Sequence, residues 1–147
     1  MTWKKVHEVT GAEFDYAMKF ANPDFCYDTE PSSRALNVVQ KLNHEMEWPF
    51  LKAMHVSFYA RNQDLTDESV LADLAEEHGI NRNQFLRVFR SDHMIEQTQE
   101  GFWFSRKLGV RGFPSLVGIS GEHDTLITQG YKTIHSLRAD IDYWLQK

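Results

Sequence analysis

Three features of this chain could carry chemistry: a thiol, a set of imidazoles and one glycine–proline segment. The thiol is Cys26, the chain's one cysteine, set between Phe25 and Tyr27 in the stretch Asp24–Pro31. A thiol attacks as its thiolate, which a helix N-terminus or nearby cations stabilise. Asp24 and Asp28 make this neighbourhood acidic instead, so Cys26 reads as a structural or incidental thiol. One cysteine permits neither an intrachain disulfide nor a CxxC redox pair, and it suits a reducing compartment. The seven histidines, His7, His44, His55, His78, His93, His123 and His135, show no i, i+3 or i, i+4 pairing with one another. No HExxH occurs either, so no metal site is expected. Gly118-Ile119-Ser120-Gly121 lacks the spacing of a serine-nucleophile elbow. No glycine-rich loop opens a helix after a strand, so a phosphate cradle is not indicated.

The most specific segment is Gly109-Val110-Arg111-Gly112-Phe113-Pro114-Ser115-Leu116-Val117. A proline entering an apolar strand must sit at its first residue or in a special turn, because it cannot donate to a sheet ladder. An X-Pro bond reaches the cis form for only ~0.5–1 kcal/mol, so a tight turn ahead of a strand can adopt it. A cis Phe113-Pro114 bond would hold the Phe113 backbone at the strand's mouth with its polar groups free for an extended peptide. By spacing alone the segment is a loop-to-strand junction, with peptide binding the sharper alternative.

These groups must be positioned by helices over most of the chain. Thr2 caps a short helix that ends at Gly11, and Glu13–Ala21 reads as a second, stopped by Asn22-Pro23. Asp24–Pro31 is a loop; Asp28 or Thr29 caps a helix with Pro31 in its first turn, and Ala35, Leu36, Val38, Val39 and Leu42 form its apolar face. Another helix starts near Trp48-Pro49 and carries Phe50, Leu51, Met54, Phe58 and Tyr59. Thr66-Asp67-Glu68 opens the next, closed by His78-Gly79. Asn81 with Gln84 makes a capping box for a helix through Phe89, and Ser91-Asp92 begins a long helix to Leu108. Beyond Gly109 the period changes. Pro114–Ser120 and Thr125–Gln129 read as strands of a hairpin turning at Gly121–Asp124. Gly130-Tyr131-Lys132 is a loop, and Ile134, Leu137, Ile141, Trp144 and Leu145 mark a terminal helix. The fold class is therefore α+β and predominantly helical, with a helical region over 1–108 and a hairpin–helix region over 109–147.

GVRGFPSLV, followed by a hairpin, the Gly130-Tyr131 turn and a final helix, resembles the C-terminal half of DsbA-type proteins of the thioredoxin superfamily. WKKVHEVTG, NPDFCYDTEPSSRALNVV and FYARNQDLTDESVLADLAEEHGI look like the inserted helical domain of the cytosolic, FrnE-like branch. The resemblance covers essentially the whole chain. It implies thiol–disulfide oxidoreductase or isomerase activity, carried by a CxxC at a helix N-terminus that faces a cis-proline loop. The matching CxxC region would precede Met1, so the chain is expected to lack the family's first strand, CxxC helix and second strand, and no catalytic residue carries over. What carries over is the substrate-binding loop Arg111, Gly112, Phe113 and Pro114, with Gly130 and Tyr131 nearby by family geometry. Ser32 and Ser33 stand where relatives carry an extra cysteine.

The 147 residues suffice for a real core. With 16 basic against 21 acidic residues the net charge is −5, which argues against nucleic acid. No apolar run reaches the ~18 residues of a membrane span, and the first residues lack a secretory signal's apolar core, so a cytoplasmic protein is expected. No cofactor is expected. The resemblance leaves two readings: an oxidoreductase represented without its thiols, or a non-catalytic binding or assembly protein. A glutathione-using transferase or isomerase relative is a third possibility. In every case strand 115–119 would have a bare, apolar edge, which predicts a homodimer. A peptide or thiol substrate, or glutathione, is the expected small partner.

Overall fold

The computed structural model describes residues 2–16, 25–121 and 123–146. Among them, helices α1 (Trp3–Thr10), α2 (Glu30–Leu42), α3 (Glu47–His55), α4 (Glu68–Glu77), α5 (Arg82–Phe89) and α6 (Asp92–Lys107) precede strands β1 (Ser115–Ile119) and β2 (Asp124–Gln129) and helix α7 (Ile134–Leu145). The chain divides into two compact units, residues 1–98 and 99–147.

Short side chains set the helix boundaries. Thr2 Oγ1 accepts from Lys5 N at 3.4 Å, and Gly11 takes φ 71° as the C-cap of α1. Thr29 occupies the cap position of α2, but the Asp28 carboxylate supplies the hydrogen bond, accepting from Glu30 N at 2.9 Å. Asp67 accepts from Ser69 N to start α4, and Asn81 accepts from Gln84 N to start α5.

The first unit encloses the apolar core. Ala35, Val38 and Val39 of α2 meet Phe50 and Met54 of α3, Leu71 and Ala75 of α4, Phe85 and Phe89 of α5 and Met94 of α6. Every buried apolar side chain among the described residues lies between Ala35 and Met94. Arg34 ties α2 to α5: it donates to Phe89 O at 3.1 Å, pairs with Glu30 at 3.0 Å and lies 4.1 Å over the Phe89 ring. Asn37 donates to the buried Thr98 hydroxyl at 3.0 Å.

Two expectations from the sequence need correction here. The helix expected over Glu13–Ala21 is absent over 13–16, which run irregularly; residues 17–21 and the Asn22-Pro23 stop lie outside the described residues. Aromatic packing overrides helix propensity at this point. Trp3 stacks on Phe14 at 5.6 Å, Phe14 meets Tyr59 at 5.7 Å, and Asp15 N donates to Tyr59 O at 2.7 Å. The helix begun at Trp48-Pro49 is also not uniform. It opens one residue earlier, after a 3₁₀ turn at His44–Met46, and passes into a π-helical turn over Val56–Ala60. There Arg61 N reaches back five residues to Val56 O at 3.0 Å, a wider turn that recurs at functional sites.

In the second unit β1 and β2 form a two-stranded antiparallel sheet. Ser115 pairs with Gln129 and Leu116 with Thr128, but Val117 pairs with Leu126, so Ile127 is an extra residue in a bulge. Thr133 caps α7 by accepting from Ser136 N at 3.4 Å. The α7 Trp144 ring lies directly against the Gly118 backbone of β1, where any Cβ would meet the indole. No helix among the described residues is long and apolar enough to cross a membrane.

Candidate functional site

Gly109, at φ 83°, ends the chain's course through α6, and the backbone enters the segment that reaches β1. The Phe113-Pro114 peptide bond is cis. Two hydrogen bonds clamp the turn on the hairpin side: Gly130 N donates to Pro114 O at 2.7 Å, and Ser115 Oγ donates to Gly112 O at 2.6 Å. Phe113 stands out from this clamp with 86% of its surface exposed. Its backbone N–H and C=O have no hydrogen-bond partner among the described residues. A donor and an acceptor are therefore presented to solvent at the mouth of a strand, which is what an added extended chain pairs with.

Sequence reasoning missed Gln129. Its Oε1 accepts from Arg111 N at 3.3 Å, and its side chain lies where a Cβ on Gly112 would sit 3.4 Å from Nε2. One amide thus braces two of the four loop residues. The hairpin register was the available signal, because it sets Gln129 opposite Ser115, directly before Gly130. The loop's surroundings are weakly charged. Arg111 is exposed, Tyr131 is half-exposed beside Gly130, and the Thr128 hydroxyl is buried without a partner among the described residues in the adjoining ladder position.

The thiol belongs to the other unit. Cys26 is a free, exposed cysteine just ahead of α2. Ser32 and Ser33 fall in the first turn of α2, where Ser32 Oγ donates to Thr29 O at 3.1 Å. Beside them the π-helical turn carries Tyr59, whose phenol burial pushes up in pKa, with the neighbouring Tyr27 adding to the shift. Partial burial pushes the His55 imidazole below its ordinary value. No group of three or more His, Cys, Asp or Glu among the described residues is placed to hold a metal ion.

Against known proteins, the family model described as the DSBA-like thioredoxin domain matches residues 5–142. Among solved structures, a candidate protein disulfide isomerase from Nitrosomonas europaea is 39% identical and superposes with a TM-score of 0.91, over 98% of this chain and 70% of that one. The cytosolic disulfide reductase DsbM from Pseudomonas aeruginosa is similar in fold at 16% identity, with a TM-score of 0.73 over 97% of this chain and 73% of its own. The same protein with glutathione superposes at 0.71, again at 16% identity and over 98% of this chain and 73% of its own. Among curated proteins none matches.

Proposed function

We propose, for a chain that belongs to the DSBA-like thioredoxin domain family, that the Arg111–Pro114 loop is the substrate-holding half of a thiol–disulfide exchange site. The observation that carries this reading is Phe113, exposed and with both backbone polar groups open at the mouth of β1. An extended peptide laid there gains main-chain hydrogen bonds whatever its side chains, which suits an enzyme that must accept many disulfides. Gly130 and Tyr131 adjoin the loop, and Gln129 braces it through Arg111 and Gly112.

In the exchange, a thiolate attacks one sulfur of a disulfide. A new S–S bond forms as the old one breaks, and the second sulfur leaves as a thiolate. A second thiol then resolves the mixed disulfide. The 147 residues contain one cysteine, so the dithiol is supplied from outside them, and none of these residues is assigned a catalytic role. Residues 1–108 serve as the helical domain of the cytosolic, FrnE-like branch, and 109–147 as the C-terminal half of the thioredoxin-like domain. The substrate class is a peptide disulfide or glutathione, and the setting is a reducing cytoplasm. The net charge of −5 speaks against a nucleic-acid partner.

In an insulin-reduction assay with a dithiol reductant, these 147 residues are expected to add nothing to the rate of the reductant alone, and Cys26→Ser to change nothing. Turnover that disappears with Cys26→Ser would refute the assignment of the chemistry to thiols outside these residues.

A second reading concerns assembly, and the observation favouring it is the sheet edge. Among the described residues β1 has a strand neighbour on one side only, and none of its five residues is charged or proline, so it lacks the features that protect an exposed edge. Two copies pairing β1 to β1 would cover both edges. Sedimentation across a concentration series should then show a monomer–dimer equilibrium. Ile119→Lys, at a position 61% exposed, should weaken it about tenfold or more, or ~1.4 kcal/mol. A monomer at every concentration would overturn this reading.

A further inference from the structure

The first unit contains a cavity of about 230 Å³ that the exchange reading does not use. Its floor is apolar, made by Leu36, Leu51, Met54, Phe58 and Leu65. Its rim comes from the approach to α2 and its first turn, the π-helical turn and the segment before α4. At ~30 Å³ per water in the liquid, the space is that of a small organic molecule.

The rim's charge is one-sided, although Tyr27, Thr29, Ser33, His55 and Tyr59 also line it with groups able to donate. Ser32 Oγ gives its proton to Thr29 O at 3.1 Å, and Thr66 Oγ1 gives its proton to Asp64 Oδ1 at 2.7 Å. Each hydroxyl has one proton and two lone pairs, so both now offer lone pairs alone. Asp28 adds a carboxylate: Oδ1 accepts from Glu30 N at 2.9 Å, and Oδ2 has no partner among the described residues. Asp28 is the one Asp or Glu among the lining residues, and no Lys or Arg lines the cavity. Tyr27, Phe58 and Tyr59 contribute rings, with Tyr27–Phe58 centroids 5.1 Å apart and Phe58–Tyr59 centroids 4.9 Å apart at 87°. Aromatic faces attract cations. The N-terminal dipole of α2 opposes a cation, but a hydrogen bond to a charged group outweighs it.

We propose that this cavity binds a small organic ammonium, its charge held by Asp28 and the Ser32 and Thr66 oxygens and its apolar body against Leu36, Leu51, Met54 and Phe58. An anion of the same shape is disfavoured, because it would face the Asp28 carboxylate with no Lys or Arg in the lining to offset it. This inference is independent of the exchange reading, since it rests on residues of the first unit alone.

Amide-resolved NMR titration with three near-isosteric probes tests it: 2-phenylethylammonium, 2-phenylethanol and 3-phenylpropanoate. The ammonium is expected to give saturable shifts at the amides of residues 28–30, 32–33, 54–59 and 65–66. It should bind at least about tenfold more tightly than the carboxylate. Asp28→Asn keeps an oxygen to accept from Glu30 N, so α2 keeps its cap. It should weaken the ammonium about tenfold while leaving phenylethanol unchanged. The proposal is overturned if the carboxylate binds as tightly as the ammonium, if Asp28→Asn leaves ammonium binding unchanged or weakens the alcohol equally, or if the ammonium gives no saturable shifts.

Discussion

Phe85→Ala is expected to lower the unfolding free energy of the helical unit by about 3–5 kcal/mol. Phe85 is completely buried and stacks on Phe89 with ring centroids 5.5 Å apart at 18°. It lies on α5, which packs against α2 and α4 in the shared core, so the helices cannot all close on the space its ring leaves. A domain of this size holds only about 5–15 kcal/mol in total, and the variant should show a large fall in its urea midpoint. Ile134→Ala is the control. Ile134 has the same apolar character but is 67% exposed on α7, and its loss should change stability by no more than about 0.5 kcal/mol. Equal midpoint shifts for the two variants would contradict the placement of the core between Ala35 and Met94.

The second large effect is expected at Gly118. Its backbone conformation is ordinary for a strand, so the reason for glycine there is space. A Cβ at this position would lie 2.6 Å from Trp144 Cζ2 and 2.7 Å from Nε1, closer than carbon packs. Gly118→Val should therefore force α7 away from β1, at about 1–3 kcal/mol. The consequence is local because no apolar side chain among the second unit's described residues is buried. Hydrogen exchange of the α7 amides reads it directly, with opening constants rising about 5–150-fold. Exchange within twofold of the parent chain would show that Trp144 does not pack on Gly118.

Much of this fold could be read from local chemistry. Asp67, Asn81 and Thr2 accept the backbone bonds their positions require. The period of Ala35, Val38 and Val39 places the buried face of α2, and the change of period after Gly109 marks the hairpin. What stayed hidden depends on contacts between distant segments. Residues 13–16 look helical, yet Trp3 and Tyr59 hold them otherwise. The π-helical turn at Val56–Ala60 has the same apolar spacing as an α-helix, and only the displaced backbone bond at Arg61 distinguishes it.

The loop at Arg111–Pro114 was visible because proline and glycine restrict the backbone wherever they occur. Its brace, Gln129, was not, because an amide eighteen residues away signals nothing until strand register brings it near. The committed hydroxyl protons of Ser32 and Thr66 were hidden for a similar reason. Hydroxyl protons are committed by geometry, and composition cannot show where they point.

The central claim is that the Phe113 backbone receives an extended thiol substrate. Titration of the ¹⁵N-labelled chain with glutathione tests it most directly, since glutathione has both a peptide backbone and a thiol. The largest saturable amide shifts are expected at Gly112, Phe113, Ser115, Gly130 and Tyr131, and S-methylglutathione should reproduce them because the contact is through the main chain. Shifts centred anywhere else, or none at these five amides, would contradict the account.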